Sequence, residues 1–354
     1  MYGLSVFLGE ELSNETKMYI QKMKKIGFNG IFSSLHIPEE DATLYLDRLK
    51  ALGKIAREEK MKLMVDISGE ALERAGLSFS RLKEMTDIGV TGLRMDYEIS
   101  NEQIANASHT IDIGLNASTV TEIDIQELKK YDADFSRFEV WHNYYPRPET
   151  GLSDRFLKEK NTWLKKVGFQ VYAFVSGNEV LRGPLFEKLP TLERHRYINP
   201  FTAAVELMNH FMVDAVYIGD PTINLRTMNQ FEFFNTEKSF PIEVEDIGSK
   251  YYNHILGEHV NRQDDARDVI RSANARFLKV PQIEPEILED REKGDITIDN
   301  EKYGRYMGEI QIIRKKLPKN EKINTVAKVT AEDAAMIDLI KAGTKFTLLK
   351  RGTL

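Results

Sequence analysis

The chain contains no cysteine. Disulfides, thiol nucleophiles and thiolate zinc sites are therefore excluded, whatever the fold. No stretch approaches the 18 or so consecutive apolar residues of a membrane-spanning helix. Clustered positive charge is also scarce. The run Arg314-Lys315-Lys316 is too short to form a basic patch, and a net charge of −6 with a pI near 5.8 speaks against a nucleic-acid partner. No basic, apolar and small-residue sequence precedes the first strand-like run, so a cytoplasmic location is expected. In that compartment the sequons at Asn106 and Asn116 carry no weight.

What is present describes a globular protein of 354 residues, 42% hydrophobic and 29% charged. Strand-length apolar runs occur at Tyr2–Gly9, Asn29–His36, Lys62–Ser68, Thr91–Tyr97, Thr110–Ser118, Arg137–Asn143, Gln170–Asn178 and Ala215–Pro221. Between them lie segments with helical spacing and helix signals. The first is capped by Ser13 or Asn14 and runs through Lys25. The others are Asp41–Glu59, Ser78–Ile88, Asn101–Ala107, Glu122–Tyr131, Asp154–Val167, Phe201–Met212 and Asn224–Asn235. Strand–helix alternation without hairpins over ~235 residues predicts an α/β fold, a (β/α)8 barrel, whose usual size is ~250. A doubly wound open sheet is the competing arrangement. Its glycine fingerprint is missing, since the first strand leads into Gly9-Glu10-Glu11, which cannot cradle a pyrophosphate.

From Phe240 the rhythm changes to short, charged, proline-bounded β-like pieces. They are FPIEVE, KYYNHILGEHV, RFLKVP, DITIDN, YMGEIQIIRKK, INTVAKV and KFTLLKR, with one helix expected at Ala331–Ala342 behind Thr330. The expected organisation is thus a barrel over 1–238 and a small mostly-β domain over 239–354.

One loop stands out within the barrel. Trp141–Ser153 reads WHNYYPRPETGLS and places His142, Asn143, Tyr144, Tyr145 and Arg147 directly after a strand. Pro146 and Pro148 stiffen it, Gly151 releases it, and Ser153 fits the N-cap of the next helix. In such barrels the C-terminal strand ends build the site. Collecting them gives Glu10 and Glu11, Ser34 and His36, Asp66 and Ser68, and Arg94, Asp96 and Glu98. Asn116 and Ser118, the polar loop itself, Ser176 and Asn178, and Asp220 complete the ring. Asp66 and Asp96 read as lying at equivalent depths on neighbouring strands.

Carboxylates facing one mouth suit acid–base work on an acetal, one protonating the leaving oxygen while the other attacks or activates water. Metal binding by His36, Asp66, His142 and Asp220 is a second use of the same ring. No HxH or HExxH spacing supports it, so no metal or cofactor is expected. For anion recognition the candidates are Arg147, Arg182 with Gly183, and His195 with Arg196. In the tail, His259, Asn261 and Arg262 form a polar cluster, HVNR, that would suit a lid.

Taken together, GLSVFLGEE, VDIS, GLRMDYE, LNAST, HNYYPRPETGLS and HVNR resemble the bacterial 6-phospho-N-acetylmuramidases, an outer-surface-protein-like family, across essentially the whole chain. The resemblance implies a TIM barrel followed by a cyclophilin-like β domain. It also implies exo-hydrolysis of the disaccharide of N-acetylmuramic acid 6-phosphate and N-acetylglucosamine, in cytoplasmic recycling of peptidoglycan sugars. On this resemblance Asp66, Asp96, Asn116, His142, Asn143, Tyr145 and Arg147 occupy family motif positions. Two departures stand out: Glu98 where a glycine is expected after Asp96-Tyr97, and VSGN at the end of strand seven.

The resulting expectation is a glycosidase for a 6-phosphorylated amino sugar, with Asp96 as general acid and Asp66 as nucleophile or base. Glu10, Asn116, His142, Asn143, Tyr145, Arg147, Arg182 and Arg262 would contact the substrate, a small phosphorylated disaccharide. A homo-oligomer is an open possibility. A substrate-assisted variant, in which the acetamido oxygen attacks, stays open too. The rivals are a metal-dependent lyase or isomerase on a sugar phosphate, and a non-catalytic sugar-phosphate-binding protein.

Overall fold

The computed structural model describes residues 1–35, 42–68, 78–275 and 281–354. His36 and the start of the helix expected at Asp41 lie outside the described residues, as does RFLKVP apart from Pro281. The chain falls into two compact units, Met1–Asn224 and Leu225–Leu354.

In the first unit eight parallel strands close on themselves in sequence order. They are β1 (Tyr2–Ser5), β2 (Phe28–Ser34), β3 (Lys62–Ile67), β4 (Gly92–Met95), β5 (Asp112–Asn116), β6 (Phe138–Trp141), β7 (Gln170–Val175) and β8 (Ala215–Ile218), with β8 pairing back onto β1. The helices between them are α1 (Asn14–Lys25), α2 (Ala42–Glu58), α3 (Leu82–Asp87), α4 (Asn101–Ser108), α5 (Glu122–Lys130), α6 (Asp154–Val167) and α7 (Pro200–His210). Local chemistry sets their ends. The Ser13 hydroxyl accepts from the Thr16 amide and starts α1. Ser153 does the same for Phe156 at the head of α6, and Gly168, at φ +105°, ends that helix. The closed barrel, rather than the open sheet, is the arrangement adopted.

Parallel strands buried on both faces need large side chains to fill the interior. Here Trp141 and Tyr217 supply much of that volume, packed with Phe32, Met64, Tyr172, Phe174 and Ala215. Their size is matched by glycines on other strands. A Cβ on Gly3 would stand 2.1 Å from the Tyr217 ring, and one on Gly114 would stand 2.9 Å from Trp141. The result is a buried aromatic plug beneath the strand ends, to which each fully buried aromatic contributes roughly 2–3 kcal/mol by transfer from water.

The second unit carries α8 (Leu225–Glu237) and a seven-stranded sheet. Its strands are β9 (Phe240–Asp246), β10 (Gly257–Val260), β11 (Val269–Arg271), β12 (Asp295–Asp299), β13 (Ile310–Ile313), β14 (Ile323–Val329) and β15 (Lys345–Lys350), in the order β10-β15-β9-β14-β12-β13-β11. The pairings are antiparallel except β9 with β15. The chain after the barrel is therefore mostly β, in accord with its sequence. Two expectations need correction. KYYNHILGEHV divides into a 3-10 turn at Tyr252–His254 and β10, and the helix expected at Ala331–Ala342 is only a 3-10 segment, Ala334–Leu339. The reason lies in Asp333, whose carboxylate does not cap that segment. It accepts instead from the Glu243 amide, Arg226 and Gln230. Gly343, at φ +70°, soon turns the chain into β15.

Candidate active site

The site is built on strand register. Across β2, β3 and β4, Ser34 pairs with Asp66 and Asp66 with Arg94, so the three side chains are register neighbours on the inner face of the barrel. The register partner of Asp66 is thus Arg94 rather than Asp96, which lies two residues further on, beyond the end of β4. Asp96 is the next position after Arg94 on that strand to face the same way, because side chains alternate between the two faces.

Arg94 is 3% exposed and acts as the hub. Its Nη1 donates to Asp66 Oδ1 at 2.6 Å and stands 4.0 Å from Asp96 Oδ1, and its Nη2 donates to Asn143 Oδ1. Burial alone would lower the guanidinium pKa. The neighbouring Asp66 and Asp96 carboxylates outweigh it and hold the pKa above its usual value. Asp66 also receives a longer hydrogen bond from the Ser34 hydroxyl, 3.4 Å. Asp96 is the more open carboxylate, its side chain 28% exposed against 10% for Asp66. Asn116 donates to it at 3.3 Å.

These groups surround a pocket of about 330 Å³. Asp66, Asp96, Asn143 and Arg182 line it together with Arg94, and Phe32, Tyr144 and Phe174 provide apolar wall. Tyr97, 53% exposed, lies at its edge. Arg182 reaches in from the loop after β7. Its Nη1 donates to the Tyr144 hydroxyl at 2.6 Å, and its guanidinium stacks 3.9 Å from the centre of the Phe7 ring. Among the described residues no carboxylate lies within ion-pair distance of that side chain. Burial raises the Tyr144 pKa, so the phenol stays neutral and does not cancel the Arg182 charge.

The polar loop after β6 divides its labour. His142 borders the pocket, yet it is wholly buried and both ring nitrogens are engaged, Nδ1 with the Ser118 hydroxyl at 2.9 Å and Nε2 with Asn161 Oδ1 at 2.7 Å. Burial, only partly offset by Asn161, pulls its pKa down to about 4, which keeps the ring neutral. Since Asn161 Nδ2 donates to the Phe211 carbonyl, its Oδ1 accepts from His142 Nε2–H. Tyr145 donates to Ser118 at 3.4 Å and ends this chain of bonds. Asn116 and Tyr145 thus support pocket residues from behind.

Other candidates fall elsewhere. Glu10 and Arg147 are exposed and lie off the pocket wall. Arg262 belongs to the second unit, where it forms a two-point ion pair with Asp264 at 2.7 and 2.8 Å. Asp220 is fully buried and accepts from the amides of Gly177, Arg182 and Leu189, a loop anchor rather than a free ligand. Among the described residues no cluster of His, Asp and Glu has the geometry to hold a metal. His195 and Arg196 do not form an anion site. His195 pairs with Glu206 at 2.8 Å, and Arg196 clamps Glu193 and four backbone carbonyls. Glu193 completes that clamp by accepting from the Glu149 and Gly151 amides. Arg94 and Tyr144 were collected among the strand-end residues without a role of their own, and Asn161, on α6, is the contributor that the sequence did not single out.

No helix of the described residues is long and apolar enough to cross a membrane. The N-terminal family model for 6-phospho-N-acetylmuramidase matches residues 2–232, and its C-terminal counterpart matches residues 239–349. No curated protein matches the chain. Among solved structures, a conserved protein from Enterococcus faecalis with an unknown function is 58% identical, with a TM-score of 0.93 over 100% of this chain and 97% of that one. An uncharacterized B. cereus protein is 22% identical, with a TM-score of 0.79 over 99% of each chain, a likeness of fold.

Proposed function

The chain belongs to the 6-phospho-N-acetylmuramidase family, and from that premise we propose that it hydrolyses the glycosidic bond between N-acetylmuramic acid 6-phosphate and N-acetylglucosamine. One observation carries the proposal: a single pocket holds two carboxylates, Asp66 and Asp96, together with a cation, Arg182, that no described carboxylate neutralises. Carboxylates in that number suit an acetal, and the cation suits an anionic substituent on the sugar.

Asp96, the more open carboxylate, gives its proton to the glycosidic oxygen as the C1–O bond breaks. Asp66 supplies negative charge on the other side of the developing oxocarbenium ion, as nucleophile or as base toward water. Because Asp66 accepts from Arg94 and Ser34, orienting the substrate's acetamido group is a role it also suits, and the attack is then by the acetamido oxygen. Arg182 takes the phosphate or the lactyl carboxylate through its guanidinium fork. Arg147, off the pocket wall, is not needed for that contact. Asn143 and Asn116 fix the carboxylates' surroundings, and His142 holds the loop. The setting that fits this reaction is cytoplasmic recycling of cell-wall sugars.

The test is product formation from the phosphorylated disaccharide by purified protein, with the unphosphorylated sugar and a chelator in parallel. Cleavage of the phosphorylated sugar alone, chelator or not, is expected. Failure to cleave either sugar overturns the reading, and activity abolished by chelator and restored by one divalent ion points to lyase or isomerase chemistry.

A further inference from the structure

We infer that Arg94 is the positioning residue that assigns different roles to the two carboxylates, an inference that rests on the glycosidase reading above. Arg94 is the register partner of Asp66 and stands two residues before Asp96 on its own strand, so a single guanidinium reaches towards both acids. It contacts Asp66 directly at 2.6 Å and Asp96 only across 4.0 Å. Coulombic attraction falls with distance, and a direct charge-assisted hydrogen bond adds to it. The nearer carboxylate is therefore the one fixed in place by the guanidinium, and the farther one stays open to the pocket, its side chain 28% exposed. Two carboxyl groups held in such different surroundings are suited to different roles in one reaction.

The same guanidinium ties this division to the polar loop. Its second amino group donates to Asn143, and Asn143 also receives the Asn116 amide at 3.5 Å, the group that donates to Asp96. One planar fork thus orients Asp66, Asn143 and, through Asn116, Asp96. Arg94 is itself held in place, being buried and hydrogen-bonded at both amino groups, to Asp66 and to Asn143. A lysine at this position would keep the charge but not the fork, because an ammonium cannot hold two acceptors in one plane.

The experiment is steady-state kinetics on the phosphorylated disaccharide with wild type, Arg94→Lys and Arg94→Ala, each checked for folding by thermal melting. For Arg94→Lys the expected result is a kcat about 100-fold lower with KM unchanged, the scale on which small misplacements act. For Arg94→Ala, added guanidinium in the millimolar range should restore turnover while ammonium should not. A lysine variant with wild-type kcat overturns the inference. So does a rise in KM at constant kcat, which would make Arg94 a substrate-binding cation, and so does an alanine variant indifferent to guanidinium. If the alanine variant does not fold, the lysine variant alone decides. The absence of wild-type turnover defeats the glycosidase reading itself, whereas a fully active lysine variant defeats only the role given to Arg94.

Discussion

Two buried arginines in the barrel unit, Arg94 and Arg196, face carboxylates in different ways. Arg196 is saturated. It makes two hydrogen bonds to Glu193, at 2.8 and 2.7 Å, and further ones to the carbonyls of Glu187, Lys188, Tyr145 and Arg147. Arg94 binds Asp66 and Asn143, stands 4.0 Å from Asp96 and borders a pocket. A structural clamp commits its donors to carboxylate and backbone away from any cavity. An arginine at a reactive site is set against side chains that themselves line the cavity. What the partners face thus separates the two arginines where charge and burial do not.

That contrast can be broken or sharpened. The largest effect is expected on the pocket side: Asp96→Asn should lower kcat by roughly 10²–10⁴, the usual worth of a general acid, while the phosphorylated sugar still binds. Unchanged turnover would remove Asp96 from the chemistry. On the clamp side, Arg196→Met removes the donors from Glu193 and from four backbone carbonyls and should cost about 1–3 kcal/mol of stability, read from urea unfolding. A loss in activity without a loss in stability would erase the distinction between the two arginines.

A smaller effect is set by pH. Glu193 has its pKa pulled down to about 2, chiefly by the hydrogen bonds from Arg196, from a usual 4.5. The unfolded chain therefore binds more protons than the folded one between those values. The stability this group contributes is complete above pH 4.5 and disappears as pH falls toward 2. Melting temperature should decline less steeply across that window in Glu193→Gln than in wild type, and parallel declines would argue against the clamp.

The smallest effect concerns Glu98, next to the pocket, which adopts φ +61°. Non-glycine residues are strained in that left-handed backbone, so Glu98→Gly should stabilise the protein by about 1 kcal/mol, less the extra freedom glycine gives the unfolded chain. A destabilised variant would mean that the Glu98 side chain has a use outweighing the strain.

Glu98 also illustrates what could be read before the structure. The expectation of glycine there came from family resemblance, and the positive φ supplies its physical reason. The barrel was legible because strands buried on both faces alternate with amphipathic helices at a period that local sequence sets. Asp66, Asp96, Asn116 and Asn143 were legible as a group because strand ends converge in any such barrel. Which of them Arg94 faces was not, since register depends on pairing between strands, and that pairing sets Arg94 rather than Asp96 opposite Asp66. The misreading of His195 and Arg196 has a similar origin. Glu193 lies three residues before Arg196 and was visible as a partner, but Glu206, eleven residues after His195, meets it only through the fold.

The aromatic plug has one more consequence, an optical one. The chain has two tryptophans. Trp163 lies on the partly exposed face of α6 with the Lys160 ammonium over its ring, whereas Trp141 is fully buried and packs on Phe32 and Phe174, both of which border the pocket. Trp163→Phe would therefore leave a single indole whose blue-shifted emission comes from against the pocket wall. Occupancy of the pocket becomes a fluorescence signal, available for variants that bind without turning over.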